Sequence, residues 1–82
     1  MNDITVVHQP EQLRFIVGSA PDQAMLEYRL ANKTINFHHT FVPPSMRGKG
    51  VAEKLVRAGL SWANEQQLTT EASCSYVQKF LR

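Results

Sequence analysis

One stretch constrains this chain more than any other. Thr34 to Val42 has the alternation of a strand, and Pro43-Pro44 ends it. A glycine-rich basic turn follows, and an amphipathic helix then runs from about Gly50 to Gln66. β-branched and aromatic residues dominate the strand, as a pleated surface favours. Its alternation places Ile35, Phe37, His39 and Phe41 on one face, and Thr34, Asn36, His38, Thr40 and Val42 on the other. In the helix, Val51, Ala52, Leu55, Val56, Gly59, Leu60, Trp62 and Ala63 recur at i, i+3 or i+4. Glu53, Lys54, Arg57, Ser61, Asn64 and Glu65 lie mostly opposite, and Glu53 with Arg57 forms a favourable i,i+4 pair. Gly59 in the middle of a helix costs about 1 kcal/mol against alanine, which a close approach to the sheet would explain.

This is the chain's only long helical pattern, and its apolar stripe needs a second layer to cover it. The rest of the sequence offers short strands. Val6-Val7 precede a break at Gln9-Pro10; Arg14 to Val17 is closed by the turn cluster Gly18-Ser19-Ala20-Pro21-Asp22. Met25 to Leu30 tolerates helix as well as strand, but the tight spacing of turn signals favours the strand. Leu68 to Ala72 is a further short strand. Ser73 then caps a last helix, Cys74 to Leu81, with Tyr76, Val77, Phe80 and Leu81 on its apolar face. The expected fold is α/β (α+β): a mostly antiparallel sheet with one long helix after the loop and a short C-terminal helix. With 82 residues there is room for a single domain, 1–82, and a chain of this size buries only about 60% of its surface. Any site therefore lies near the surface or in a cleft.

Several function classes weaken on composition. The formal net charge of +2 is too small to imply nucleic acid, and no stacking aromatics stand beside the basic residues. Cys74 is the only cysteine, so no intrachain disulfide can form, which fits a reducing compartment. Met1-Asn2-Asp3-Ile4 shows no secretory signal, and no apolar run approaches the ~20 residues that span a bilayer. The expected location is cytoplasmic. His8 and His38 have no companions at metal-ligand spacing, so no metal site is expected.

The loop between strand and helix carries the chemistry. A helix start without a side-chain cap leaves N–H groups in need of partners, and these groups bind phosphate oxygens well. Gly48 and Gly50 remove side chains that would block a phosphate from the backbone, and Arg47 and Lys49 add charge at the rim. Lys54 and Arg57 extend the basic patch; read by themselves, these charges also fit a solvated helix face. A nucleoside-triphosphate loop would need glycine where Pro43 stands, and a dinucleotide fingerprint would need glycine where Glu53 stands.

At this point the sequence resembles the GNAT superfamily of N-acetyltransferases. Arg47-Gly48-Lys49-Gly50-Val51-Ala52 is similar to its pattern of Gln or Arg, two residues, Gly, one residue, then Gly or Ala. His39-Thr40-Phe41-Val42-Pro43 and Cys74-Ser75-Tyr76-Val77 resemble further motifs of a branch of small single-domain members, and the likeness covers nearly the whole chain. The resemblance implies that Arg47, Gly48, Lys49, Gly50, Val51 and Ala52 hold the pyrophosphate of acetyl-CoA. It implies that the preceding strand, through Phe41 and Val42, lends backbone groups to the pantetheine arm. The implied reaction is acetyl transfer to a primary amine on a protein or small molecule. A monomer or weak dimer is expected, since an exposed edge strand could support dimerisation. Three features depart from the branch. Phe41 stands where an acidic residue is usual, Ala72 where a proline is common, and the sequence ends at Arg82 where relatives continue, which would leave the substrate side more open.

Without an acid at position 41, other residues become candidates for catalysis. His39 is a candidate to accept the amine's proton directly or through water, and shares the Ile35/Phe37 face, where burial would desolvate it; the plain alternative is a packed or exposed strand histidine. Cys74 at a helix start is a candidate acyl acceptor, or else a small residue filling space beside the pantetheine arm. Glu71 reads as a solvated edge residue or a base, Tyr76 as core packing or an acid for the leaving thiolate, and Trp62 as a core anchor. A coenzyme A-binding module without turnover is the competing reading, and a nucleic-acid-binding domain using the basic helix is a third.

Overall fold

The computed structural model describes residues 4–81. Residues 1–3, on which much of the reading of the N-terminus rests, lie outside them. The element order is β1 (Val6–Gln9), β2 (Arg14–Ser19), β3 (Asp22–Ala31), β4 (Thr34–Phe41), α1 (Val51–Glu65), β5 (Thr69–Ala72) and α2 (Ser75–Gln78). The strands form one sheet in sequence order, antiparallel from β1 to β4, with β5 parallel to β4. The parallel pair exists because α1 carries the chain back across the sheet, a crossover that a tight turn cannot make. The fold is therefore α/β (α+β), with one long helix and a short one after β5.

The Met25–Leu30 segment is extended, within a strand of ten residues. The turn before it is tighter than the Gly18–Asp22 cluster suggested: Ser19 pairs with Asp22, leaving Ala20 and Pro21 at the tip. Ala24, Leu26 and Tyr28 of β3 and Ile35 and Phe37 of β4 face the helices. Val51, Leu55, Val56 and Ala63 of α1 and Val77 of α2 complete the same core. Each large aliphatic side chain in it contributes about 1.5–3 kcal/mol, so Leu55 and Val56, fully buried, hold α1 to the sheet. Gly59 lets the helix lie close on the sheet: a Cβ there would stand 2.8 Å from Phe37 Cε1 and 3.0 Å from Leu26 Cδ2.

The helix ends at a Schellman turn. Leu68 N–H reaches Ala63 C=O and Gln67 N–H reaches Asn64 C=O, with Gln67 in the left-handed region at φ 58°. Among the described residues no helix is long and apolar enough to cross a membrane.

The sequence alternation fails at one point in β4. Its register against β3 jumps from Tyr28↔Phe37 to Glu27↔His39, leaving His38 as an extra residue in a bulge. One inserted residue exchanges the two faces of everything after it. Thr40 and Val42 therefore turn toward the core side: Thr40 pairs with fully buried Leu26, and Val42 packs against the core cluster. His39 and Phe41 turn outward and are exposed, with Phe41 opposite Met25. This corrects the expectation that His39 and Phe41 continue the face of Ile35 and Phe37. The desolvation expected for the His39 ring is absent.

Candidate functional site

The loop after β4 and the start of α1 border a cavity of about 240 Å³. Val42 closes it on the strand side, Arg47, Gly48 and Gly50 on the loop side, and Val51, Ala52 and Glu53 along the first helical turn, with Met46 and Tyr76 completing the wall. Lys49 and Phe41, both expected to hold the ligand, stand outside this lining.

α1 begins at Gly50, which has φ 77° and offers no side-chain cap. The first intrahelical bond runs from Lys54 N–H to Gly50 C=O, so Val51, Ala52 and Glu53 have no intrahelical acceptor for their N–H groups. These donors and the helix dipole make the cavity floor electropositive. Gly48 has φ 79°, and a Cβ on either glycine would meet nothing within 4 Å. Backbone conformation demands glycine here, and the bare surface leaves room for a ligand. Arg47 folds back, its Nε donating to Val42 C=O at 3.0 Å, which pins the loop to the end of the strand. Glu53, the one carboxylate in the lining, is paired with Arg57 at 2.8 Å.

Beyond the cavity, β4 and β5 part. Their pairing runs from Thr34↔Thr69 to Phe37↔Ala72 and stops. Ser73 and Cys74 both donate their N–H groups to Phe37 C=O, at 3.1 and 3.2 Å. Among the described residues no strand pairs with this edge of β4 from His38 onward.

Cys74 sits in this opening, half-buried, with its Sγ 3.5 Å from Thr40 Oγ1. Burial raises its thiol pKa, but the Thr40 hydroxyl and the N–H groups of Val77, Tyr76 and Thr40 together outweigh that, so the thiol lies below its usual range. Tyr76 lines the cavity, and burial, aided by Glu53, raises its phenol, which stays protonated at neutral pH.

The structure thus brings together Val42, Arg47, Gly48, Gly50, Val51 and Ala52, with Cys74 in the adjoining gap. It leaves His39 on the outer face of the bulge and Glu71 exposed on β5 beside Asn36. Trp62 is half-buried against the core, as its anchor reading anticipated. Sequence reading missed Thr40, because alternation alone assigns it to the wrong face. It also missed the cluster at the far end of α1, where His8 stacks on Phe15 at 4.1 Å and hydrogen-bonds Tyr28 Oη at 2.6 Å. Among the described residues no group of three His, Cys, Asp or Glu side chains is placed to hold a metal ion.

Comparison with known proteins agrees with this geometry. Residues 14–82 match the family model of the GCN5-related N-acetyltransferases. Protein NATD1 of Bos taurus is 35% identical over 82 residues, covering 96% of this chain and 73% of that protein. Protein NATD1 of Xenopus tropicalis is 32% identical over 84 residues, with 99% and 77% covered. The NMR solution structure of a GCN5-like protein from Staphylococcus aureus superposes with a TM-score of 0.75 at 31% identity, covering 99% of this chain and 80% of that one. On motif, fold and family match together, the chain belongs to the GCN5-related N-acetyltransferase family.

Proposed function

We propose that this protein transfers an acetyl group from acetyl-CoA to a primary amine. The observation that carries the reading is the uncapped start of α1, opened by Gly48 and Gly50, directly beside a strand edge that β5 leaves unpaired. The two features suit the two ends of one ligand. Free N–H groups of Val51 and Ala52 fit pyrophosphate oxygens, with Arg47 and Lys49 adding positive potential. The open β4 edge fits the amides of a pantetheine arm, which hydrogen-bond like an added strand. Acetyl-CoA would supply the activated acyl group.

The chain's own residues then have limited tasks. The loop and strand edge hold and orient. Tyr76, protonated and in the cavity wall, would give a proton to the departing thiolate. The amine loses its proton to water, the amide bond forms, and the thioester C–S bond breaks. Cys74 offers a second route in which its thiolate takes the acetyl group first and the amine then displaces it.

Calorimetry with acetyl-CoA, run beside Gly50→Glu, tests the site, and intact mass tests the covalent route. Binding lost in the variant supports the loop. An added acetyl group, absent in Cys74→Ala, supports the covalent route. Absence of binding by the native protein would sink the reading. A coenzyme A-binding module without turnover is favoured by one observation: the sole carboxylate of the lining is tied to Arg57. Binding with no release of free thiol in the presence of amines would establish that alternative.

A further inference from the structure

We propose that Asn36 is a positioning residue that stops β5 from zipping further along β4 and so keeps the cleft open for the pantetheine arm; this rests on the acetyl-CoA reading above. Asn36 lies outside the cavity lining, so it acts through the strands rather than by touching a ligand.

The β4–β5 pair is regular for four residues. Ser73 N–H to Phe37 C=O continues the parallel ladder. A further rung would carry the chain along β4 past the bulge. Instead Cys74 N–H returns to the same carbonyl, and the chain turns away into α2. At that turn Gln78 Nε2 donates to Ala72 C=O at 2.9 Å, and Asn36 engages Ser73. The Asn36 Oδ1 accepts from Ser73 N–H at 3.0 Å and from the Ser73 hydroxyl at 3.3 Å, while its Nδ2 donates to Ser73 Oγ at 3.1 Å. A carboxamide presents one acceptor and one donor side by side, and both are used on one residue.

The clamp and the His38 bulge fall at the same level of β4. The bulge turns Thr40 toward the opening, and the clamp removes the strand that would otherwise cover it. With Asn36 apolar, Ser73 is released to extend along β4 and close the edge.

The test compares Asn36→Leu, which removes donor and acceptor, with Asn36→Asp, which keeps the acceptor for both Ser73 groups. Calorimetry measures coenzyme A against adenosine 3′,5′-bisphosphate, the fragment that would reach the loop and not the cleft. Asn36→Leu is expected to weaken coenzyme A by about tenfold and the fragment by less than about twofold, with Asn36→Asp restoring most of the loss. Equal weakening of both ligands, or of neither, overturns the clamp. Alkylation of Cys74 by iodoacetamide across pH reads the same geometry without any ligand. In Asn36→Leu its midpoint should rise as Cys74 drifts from Thr40, and Asn36→Asp should hold it. An unmoved midpoint in Asn36→Leu overturns the clamp even if coenzyme A never binds, whereas failure of native binding with a moved midpoint overturns only the acetyl-CoA reading.

Discussion

Thr40 and Cys74 meet across the opening between β4 and α2, with Oγ1 3.5 Å from Sγ, although 34 positions separate them in the chain. The contact depends on the bulge at His38, which turns Thr40 inward, and on the turn at Ser73, which brings Cys74 back over β4. It is also the largest of the influences that lower the Cys74 thiol against the rise due to burial. Thr40→Val keeps the side-chain shape and removes the hydroxyl. The thiol should move up in pKa, and alkylation of Cys74 near neutral pH should slow several-fold. A pH profile identical to that of the native protein would remove Thr40 from this role.

Gly50 separates backbone strain from ligand access. At φ 77° an L side chain costs about 1–2 kcal/mol, so Gly50→Ala should lower stability by about that much. Gly50→Glu meets the same strain but gains from placing a carboxylate at the positive helix end. It should unfold no more easily than Gly50→Ala while losing coenzyme A binding altogether. Denaturant titration and calorimetry on both variants check the contrast.

Gly59→Ala should destabilise, against the helix-propensity gain of about 1 kcal/mol that alanine brings. The added Cβ meets Phe37 Cε1 at 2.8 Å inside a fully buried contact, where relief requires α1 to move off the sheet. Overpacking of this kind costs about 1–3 kcal/mol. A stabilised Gly59→Ala variant in urea unfolding would show that the helix can shift freely.

Gln67→Gly should have the opposite sign. Gln67 occupies the left-handed position of the α1 Schellman turn at φ 58°, is exposed, and uses only its backbone there. Glycine should stabilise the fold by about 0.5–1 kcal/mol, read as a rise in the urea midpoint without a change in slope.

His8 should make stability depend on pH. Burial lowers its pKa from 6.5, opposed by Glu11, so the ring is neutral in the folded state and binds a proton more readily when unfolded. Stability therefore rises with pH through this region, is complete above 6.5, and is lost as pH falls below it toward the folded pKa. His8→Phe, which keeps the stack on Phe15, should flatten the slope of the thermal midpoint on the acid side. An equally steep slope in that variant would assign the dependence to another group.

Much of the fold was legible in residue pattern. The stripe of Val51, Leu55, Val56 and Ala63 announced a helix with one buried face, and all four are buried. The turn signals set the strands nearly where they are, because Gly, Pro and Asn act through local backbone geometry. Gly48 and Gly50 announced a loop with a bare, open backbone, and a Cβ on either would meet nothing within 4 Å.

The sequence by itself determined the elements, their order, the side of α1 that is buried and the uncapped helix start. These follow from periodicity and backbone chemistry within a few residues of one another. The tertiary structure alone decided which face of β4 carries Thr40 and which carries His39, because one extra residue against β3 reverses the alternation without any mark in β4 itself. It alone decided where β5 leaves β4, since Asn36 and Ser73 are 37 positions apart and meet only after α1 has crossed the sheet. The His8–Tyr28 contact is of the same kind, set by the register of β1 to β3 rather than by any local preference.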